Sequence, residues 1–185
     1  MSRFWSAVPE SEREALYRGL ALDLAVDDLV PGEAAAATRP PRFDELYAAA
    51  LDPDAAPAPS FAARFAARPE SQRVFESLLR DTAICWFPVA AAAAGGDEGL
   101  VAREEDGFEI SIRTSSADGD QVYILIRLPE GREGKPVALV AIPASGAPMR
   151  VALPEDIDGV YQLIELGDST IVRAIRDPAS KLALV

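Results

Sequence analysis

A chain of 185 residues, 49% hydrophobic and 26% charged, has the composition of a folded protein and the length to bury a sizeable core. Its net charge of −12 sets it against the phosphate backbone of nucleic acids and against anionic lipid, so neither is an expected partner. The acidity is spread evenly: residues 1–96 carry 9 basic and 14 acidic side chains, residues 97–185 carry 9 and 16, so it belongs to the whole surface and serves solubility.

The opening MSRFWSAVPESERE lacks the apolar stretch of a secretory signal, and no run is long and apolar enough for a membrane helix. The single cysteine, Cys85, allows no internal disulfide and fits a reducing compartment. A cytoplasmic location is expected. Abundant alanine and arginine beside only two lysines, Lys135 and Lys181, suggest a GC-rich bacterial coding sequence.

Along the chain the two halves differ. Residues 1–96 hold 24 alanines and 6 valines plus isoleucines; residues 97–185 hold 10 and 17. Alanine favours helix and β-branched residues favour strands. The expected fold is therefore α+β, with an N-terminal helical domain of about four helices over 1–89. An Ala/Gly linker over 90–99 then leads to a C-terminal antiparallel β-sandwich or small barrel over 100–185.

A first helix is predicted from Ser11 to Leu29. Ser11 and Glu14 have capping-box spacing, Leu16, Leu20 and Leu24 form an apolar face, and Pro31-Gly32 stops it. After a connector, Arg42–Leu51 reads as a short helix with Phe43, Leu46, Tyr47 and Ala50 on one side. Asp52–Ser60 contains three prolines and reads as a loop. Ser60 is placed to cap a third helix through Phe61 and Phe65. A fourth runs from Pro69 to Trp86, with proline in its first turn and Val74, Leu78, Ile84 and Cys85 towards the core.

In the second half Phe108, Ile110 and Ile112 alternate with polar residues, as in a half-buried strand. Gln121–Leu128 is apolar on both faces and reads as a central strand. Further strands are predicted at Val137–Ile142, Met149–Leu153, Val160–Glu165, Thr170–Arg176 and Lys181–Val185. Turns at Ala117–Asp120, Gly131–Gly134, Asp158-Gly159, Gly167-Asp168 and Asp177-Pro178 separate them. The run Arg103-Glu104-Glu105-Asp106 reads as a solvated turn, with guarding of a sheet edge as the alternative.

Chemistry is constrained by what is missing. No histidine is present, which removes Ser-His-Asp and Cys-His catalysis and the usual zinc sites. No phosphate-binding glycine motif occurs. Cys85 lies in the apolar run Ala83–Phe87 with no basic neighbour to lower its pKa, so it reads as a packing cysteine. Asp156, Asp158, Gly159, Gln162 and Glu165 match part of a calcium-loop spacing, but Pro154 stands where the first carboxylate belongs and the flanks read as strands. No metal or cofactor is therefore expected. Thirty acidic residues leave carboxylate chemistry as the one enzymatic alternative.

Two aromatic pairs, Phe4-Trp5 and Trp86-Phe87, are the interface candidates, because interfaces favour exposed aromatics; the alternative for each is packing into its own domain. The stretch 43–85 joins the short helix Phe43-Asp44-Glu45-Leu46-Tyr47, a loop, a helix ending before Pro69, and a helix opening Pro69-Glu70-Ser71-Gln72-Arg73 with Phe75, Leu78 and Leu79. It resembles the helical N-terminal domain of zinc-free bacterial anti-sigma factors. The resemblance implies a soluble, zinc-free regulator that holds a transcription factor. The overall expectation is a non-catalytic protein-binding regulator or adaptor whose partner is a transcription or signalling protein. A structural or assembly subunit, including an immunity-type or defence-operon component, is the alternative. Oligomeric state is left open.

Overall fold

The computed structural model describes residues 39–52, 60–89, 102–131 and 134–185. The chain divides after Arg39, and all the described elements belong to the unit Pro40–Val185. The helix expected over Ser11–Leu29 and the linker expected over 90–99 lie outside the described residues. Among the described residues three helices come first: α1 (Phe43–Leu51), α2 (Phe61–Ala66) and α3 (Pro69–Thr82). Then follow β1 (Cys85–Phe87), β2 (Ala102–Glu105), β3 (Phe108–Thr114), β4 (Gln121–Arg127), β5 (Ala138–Ile142), β6 (Met149–Ala152) and β7 (Val160–Leu166). A fourth helix, α4 (Thr170–Arg176), and β8 (Lys181–Leu184) close the chain.

The described strands form two antiparallel sheets of four, ordered β1-β8-β5-β6 and β2-β3-β4-β7. Their apolar faces share one core. Phe108, Ile110, Val122, Ile124 and Ile126 come from the second sheet, and Phe87, Leu139, Leu182 and Leu184 from the first. The first sheet is also covered on its other face. Val140, Ile142 and Ala183 point away from the second sheet, into a cluster with Leu46, Phe61, Phe65, Phe75 and Leu79 of the helices. Phe65 meets Phe61 at 5.6 Å and the edge of Phe75 at 5.4 Å between ring centroids. Each fully buried Phe or Leu here contributes about 1.5–3 kcal/mol of apolar transfer. β5, buried at all five positions, is the strand both layers need.

The α+β class is as expected, but helices and strands are not segregated into two halves. α3 stops at Thr82, where the sequence predicts helix to Trp86. The residues beyond it switch from a helical period to alternation: Cys85 and Phe87 face the inter-sheet core while Trp86 faces the helices. They pair with the last strand, Cys85 opposite Leu184 and Phe87 opposite Leu182. Ser60 caps nothing with its side chain, since its own backbone is already helical.

Thr170–Arg176 is a helix, not the predicted strand. Its β-branched content favours strand, but Ser169 caps it, with its hydroxyl accepting from the Val172 amide, and Ile171, Val172 and Ile175 fall on one buried helical face. Burial of that face outweighs the propensity, which spans only about 1 kcal/mol.

The run at 103–106 is also different from a solvated turn. Arg103 lies inside β2 and is 6% exposed. Its guanidinium donates to the carbonyls of Ile175 (3.0 Å), Ser180 (2.7 Å), Ala174 and Asp177. It thereby satisfies the carbonyls that the end of α4 leaves open. Burial pulls its pKa down from the usual arginine value, and Asp177 partly opposes this. The turn itself is only Asp106-Gly107, both at positive φ (50° and 80°), a two-residue hairpin joining Glu105 to Phe108.

Candidate interaction surface

Of the residues picked out in the sequence, Phe4 and Trp5 lie outside the described residues. Phe87 is 2% exposed and belongs to the inter-sheet core, so it presents no side chain to a partner. Trp86 is half-buried against the helices, with the Arg80 guanidinium 5.5 Å from its ring centroid. The chain alternation that buries Phe87 therefore turns Trp86 to the opposite face, and the two do not form one patch. Cys85 is buried, with its Sγ 3.6 Å from the Glu105 carbonyl oxygen.

The calcium-like loop is a hairpin. Asp158 and Gly159 both take positive φ, and Asp156 accepts a hydrogen bond from the Gly159 amide at 3.2 Å and an ion pair from Lys135. The hydrogen bond from Lys135 holds the Asp156 carboxyl below the usual carboxylate range, and the same bond raises the Lys135 ammonium above its ordinary value. Among the described residues no group of three or more acidic or cysteine side chains is arranged to hold a metal ion.

What the structure brings together instead is the free margin of the second sheet. β7 has β4 on one side, and among the described residues no strand on the other. Its sequence, VYQLIEL, contains no proline and one charge, Glu165. Tyr161 and Leu163 point into the core, while Ile164 and Leu166 are 59% and 56% exposed on the outer face. Across the ladder Ile164 stands opposite Tyr123 and Leu166 opposite Gln121, with Leu125 next along β4. Tyr123 and Leu125 are half-buried on that same outer face, so four apolar side chains share it.

The hydrogen-bond phase of the ladder follows from its ends. Leu128 donates to the Gly159 carbonyl (2.9 Å) and Gly167 to the Asp120 carbonyl (2.8 Å). Antiparallel bonding alternates, so 161, 163 and 165 turn their backbone groups towards β4 and 160, 162, 164 and 166 turn theirs outward. Val160 exchanges both its bonds with Ile157, and the Leu166 carbonyl accepts from Ser169. The amides and carbonyls of Gln162 and Ile164 thus line the open edge.

Beside this edge lies a cleft of about 480 Å³ between β6 and the β7–α4 corner. Met149, Val151 and Ile171 supply apolar walls, and among the described residues Glu165 is the one acid lining it and Arg150 the one base. Arg150 is engaged: its guanidinium donates to the carbonyls of Asp52 (2.7 Å) and Leu51. A smaller cleft of about 200 Å³ between α3 and β8 contains the Lys181–Glu76 ion pair, at 2.5 Å. Nothing in the sequence pointed to the β7 margin, because alternation marks a strand without marking what flanks it.

Compared with protein-family models, curated proteins and solved structures, the chain matches none. Among the described residues no helix is long and apolar enough to cross a membrane.

Proposed function

We propose that this protein acts by binding another protein, as a non-catalytic regulator or adaptor, and that β7 and the cleft beside it form the contact. One observation carries the reading: Ile164 and Leu166 stand exposed on a seven-residue edge strand whose outward backbone groups have no neighbouring strand among the described residues. Long, apolar, unguarded edges invite pairing with other chains, and stable proteins blunt them unless they are used. The lining of the cleft supports the same reading, since among the described residues it holds one carboxylate and not the pair that carboxylate catalysis uses.

The regulator is anti-sigma-like in a finer version of this proposal, resting on the resemblance over 43–85, with a transcription factor as the partner. In this chain Leu46, Phe75 and Leu79 are buried against the first sheet, and Phe43 and Tyr47 remain outward on α1, 6.3 Å apart. A partner of the helices would therefore meet Phe43 and Tyr47.

The test is affinity purification of the tagged full chain beside an I164K/L166K variant. The expected result is a reproducible stoichiometric partner that the wild type retains and the variant loses. A partner retained equally by both would move the contact away from β7. Failure of any protein to co-purify in fixed ratio would count against the binding reading itself.

A further inference from the structure

Resting on the protein-binding reading above, we infer that the occupant of this surface is an extended, basic segment of a partner that adds as a fifth strand to β7 and sends alternate side chains into the neighbouring cleft. Three independent features converge on that occupant.

The first is the backbone. The amides and carbonyls of Gln162 and Ile164 and the amide of Leu166 point to the open side, and they repeat at the two-residue spacing of a β ladder. They span about 13 Å, the length of roughly four residues of extended chain. A helix laid on this edge could not satisfy them, because its own amides and carbonyls are already paired internally. The bridge between Ile157 and Val160 closes one end of the open stretch, and the Ser169 amide on the Leu166 carbonyl closes the other. The edge is therefore a slot of defined length.

The second is the cleft. Side chains of an added strand alternate between the two faces of the sheet. Those in step with Leu163 and Glu165 point inward, where the space beside β6 is walled by Met149, Val151 and Ile171. Those in step with Ile164 and Leu166 extend the outer apolar stripe. Short apolar side chains suit the inward position beside Leu163.

The third is charge. Glu165 lines the cleft and Asp168 stands exposed just beyond it. Arg150 donates to the carbonyls of Leu51 and Asp52. Those bonds go to neutral carbonyls and leave Arg150 cationic, but Glu165 forms no ion pair among the described residues, so a lysine or arginine in step with it complements its charge on a chain of net charge −12. The same charge disfavours a second copy of this chain as the occupant: each copy carries −12, and pairing β7 with β7 would bring two Glu165 carboxylates to one seam.

The test uses the full chain, labelled for amide detection by NMR, and capped seven-residue peptides. One is valine with a lysine at every fourth position, so that successive inward side chains are apolar and basic. A second replaces lysine with glutamate. A third places proline at the centre of the lysine peptide. The lysine peptide is expected to slow exchange of the Gln162, Ile164 and Leu166 amides, and the glutamate and proline peptides are expected to leave them unchanged. E165Q should weaken the lysine peptide by up to about fivefold, the scale of one partly exposed charge pair, without altering the spectrum of the rest of the chain. The inference is overturned if the lysine peptide leaves those amides unprotected at millimolar concentration, or if all three peptides act alike. It is also overturned if those amides become protected by raising the protein concentration alone, which would make a second copy the occupant. Should the peptides fail while the I164K/L166K variant still loses its co-purifying partner, protein binding at β7 stands and strand addition falls.

Discussion

The second sheet has two margins, β2 and β7, and they are built on opposite plans. β2 is four residues long, three of them charged, and its inward position is Arg103, bound to the carbonyls around the end of α4. It also lies near β1 of the facing sheet, where Cys85 approaches the Glu105 carbonyl. β7 is seven residues long with one charge, and exposes Ile164 and Leu166 beside an open cleft. One margin is shortened, charged and tied down; the other is long, apolar and open. Both are reached by tight hairpins with positive φ, Asp106-Gly107 before β3 and Asp158-Gly159 before β7, so turn chemistry does not distinguish them. The difference lies in what the side chains beyond the ladder are given to do, and it separates a tied edge from an open one.

The strongest way to break this comparison is to place the same charge on both faces beside the open margin. I124K puts an ammonium into the inter-sheet core, where Ile124 is fully buried, and should cost about 4 kcal/mol or more, enough to unfold many domains of this size. I164K, on the strand next to it, should change stability by no more than about 0.5 kcal/mol. Urea denaturation of the two variants measures both, and a loss above about 2 kcal/mol for I164K would mean that β7 is covered.

R103M tests the closed margin. The thioether keeps the bulk but leaves the carbonyls at the end of α4 without a donor, an expected loss of about 3 kcal/mol. R103K should recover less than half, since one ammonium cannot fork to the same set of acceptors. A neutral R103M would show that β2 does not depend on this tie.

The smallest effect concerns the loop leading into β7. The hydrogen bond from Lys135 is the main cause lowering the Asp156 pKa. The stability this gives is complete above the ordinary carboxylate pKa of about 4 and is lost as pH falls through the lowered value. K135M should therefore lower the urea midpoint slightly at neutral pH and shorten its fall between pH 6 and pH 3, with wild type and variant converging at the acid end. An unchanged acid limb would remove Asp156 from the account.

How far the sequence could be read depended on whether a pattern was local. Alternation at Phe108–Ile112, the doubly apolar run at 121–128 and the buried run at 137–142 became β3, β4 and β5, and Phe43–Leu51 and the start at Pro69 became α1 and α3. The first missed feature was α4, where β-branched residues masked a Ser169 cap and a helical face. The second was β2, whose Asp106-Gly107 pair is a hairpin signal hidden inside a charge run. The third was β1, which is a strand only because β8, almost a hundred residues later, supplies its ladder. The open margin proposed as the contact was illegible for that same reason. Val160–Glu165 reads as a strand, but the absence of a neighbour on one side is a property of sheet order, and no residue in VYQLIEL announces it.

Amide hydrogen exchange of the isolated full chain, read residue by residue along β7, tests the account most directly. Tyr161, Leu163 and Glu165 donate towards β4 and should be strongly protected, while Gln162 and Ile164 should exchange within about tenfold of unprotected amides. Equal protection of all five would show that the edge is already paired and would contradict the assignment of β7 as the open, binding margin of the molecule.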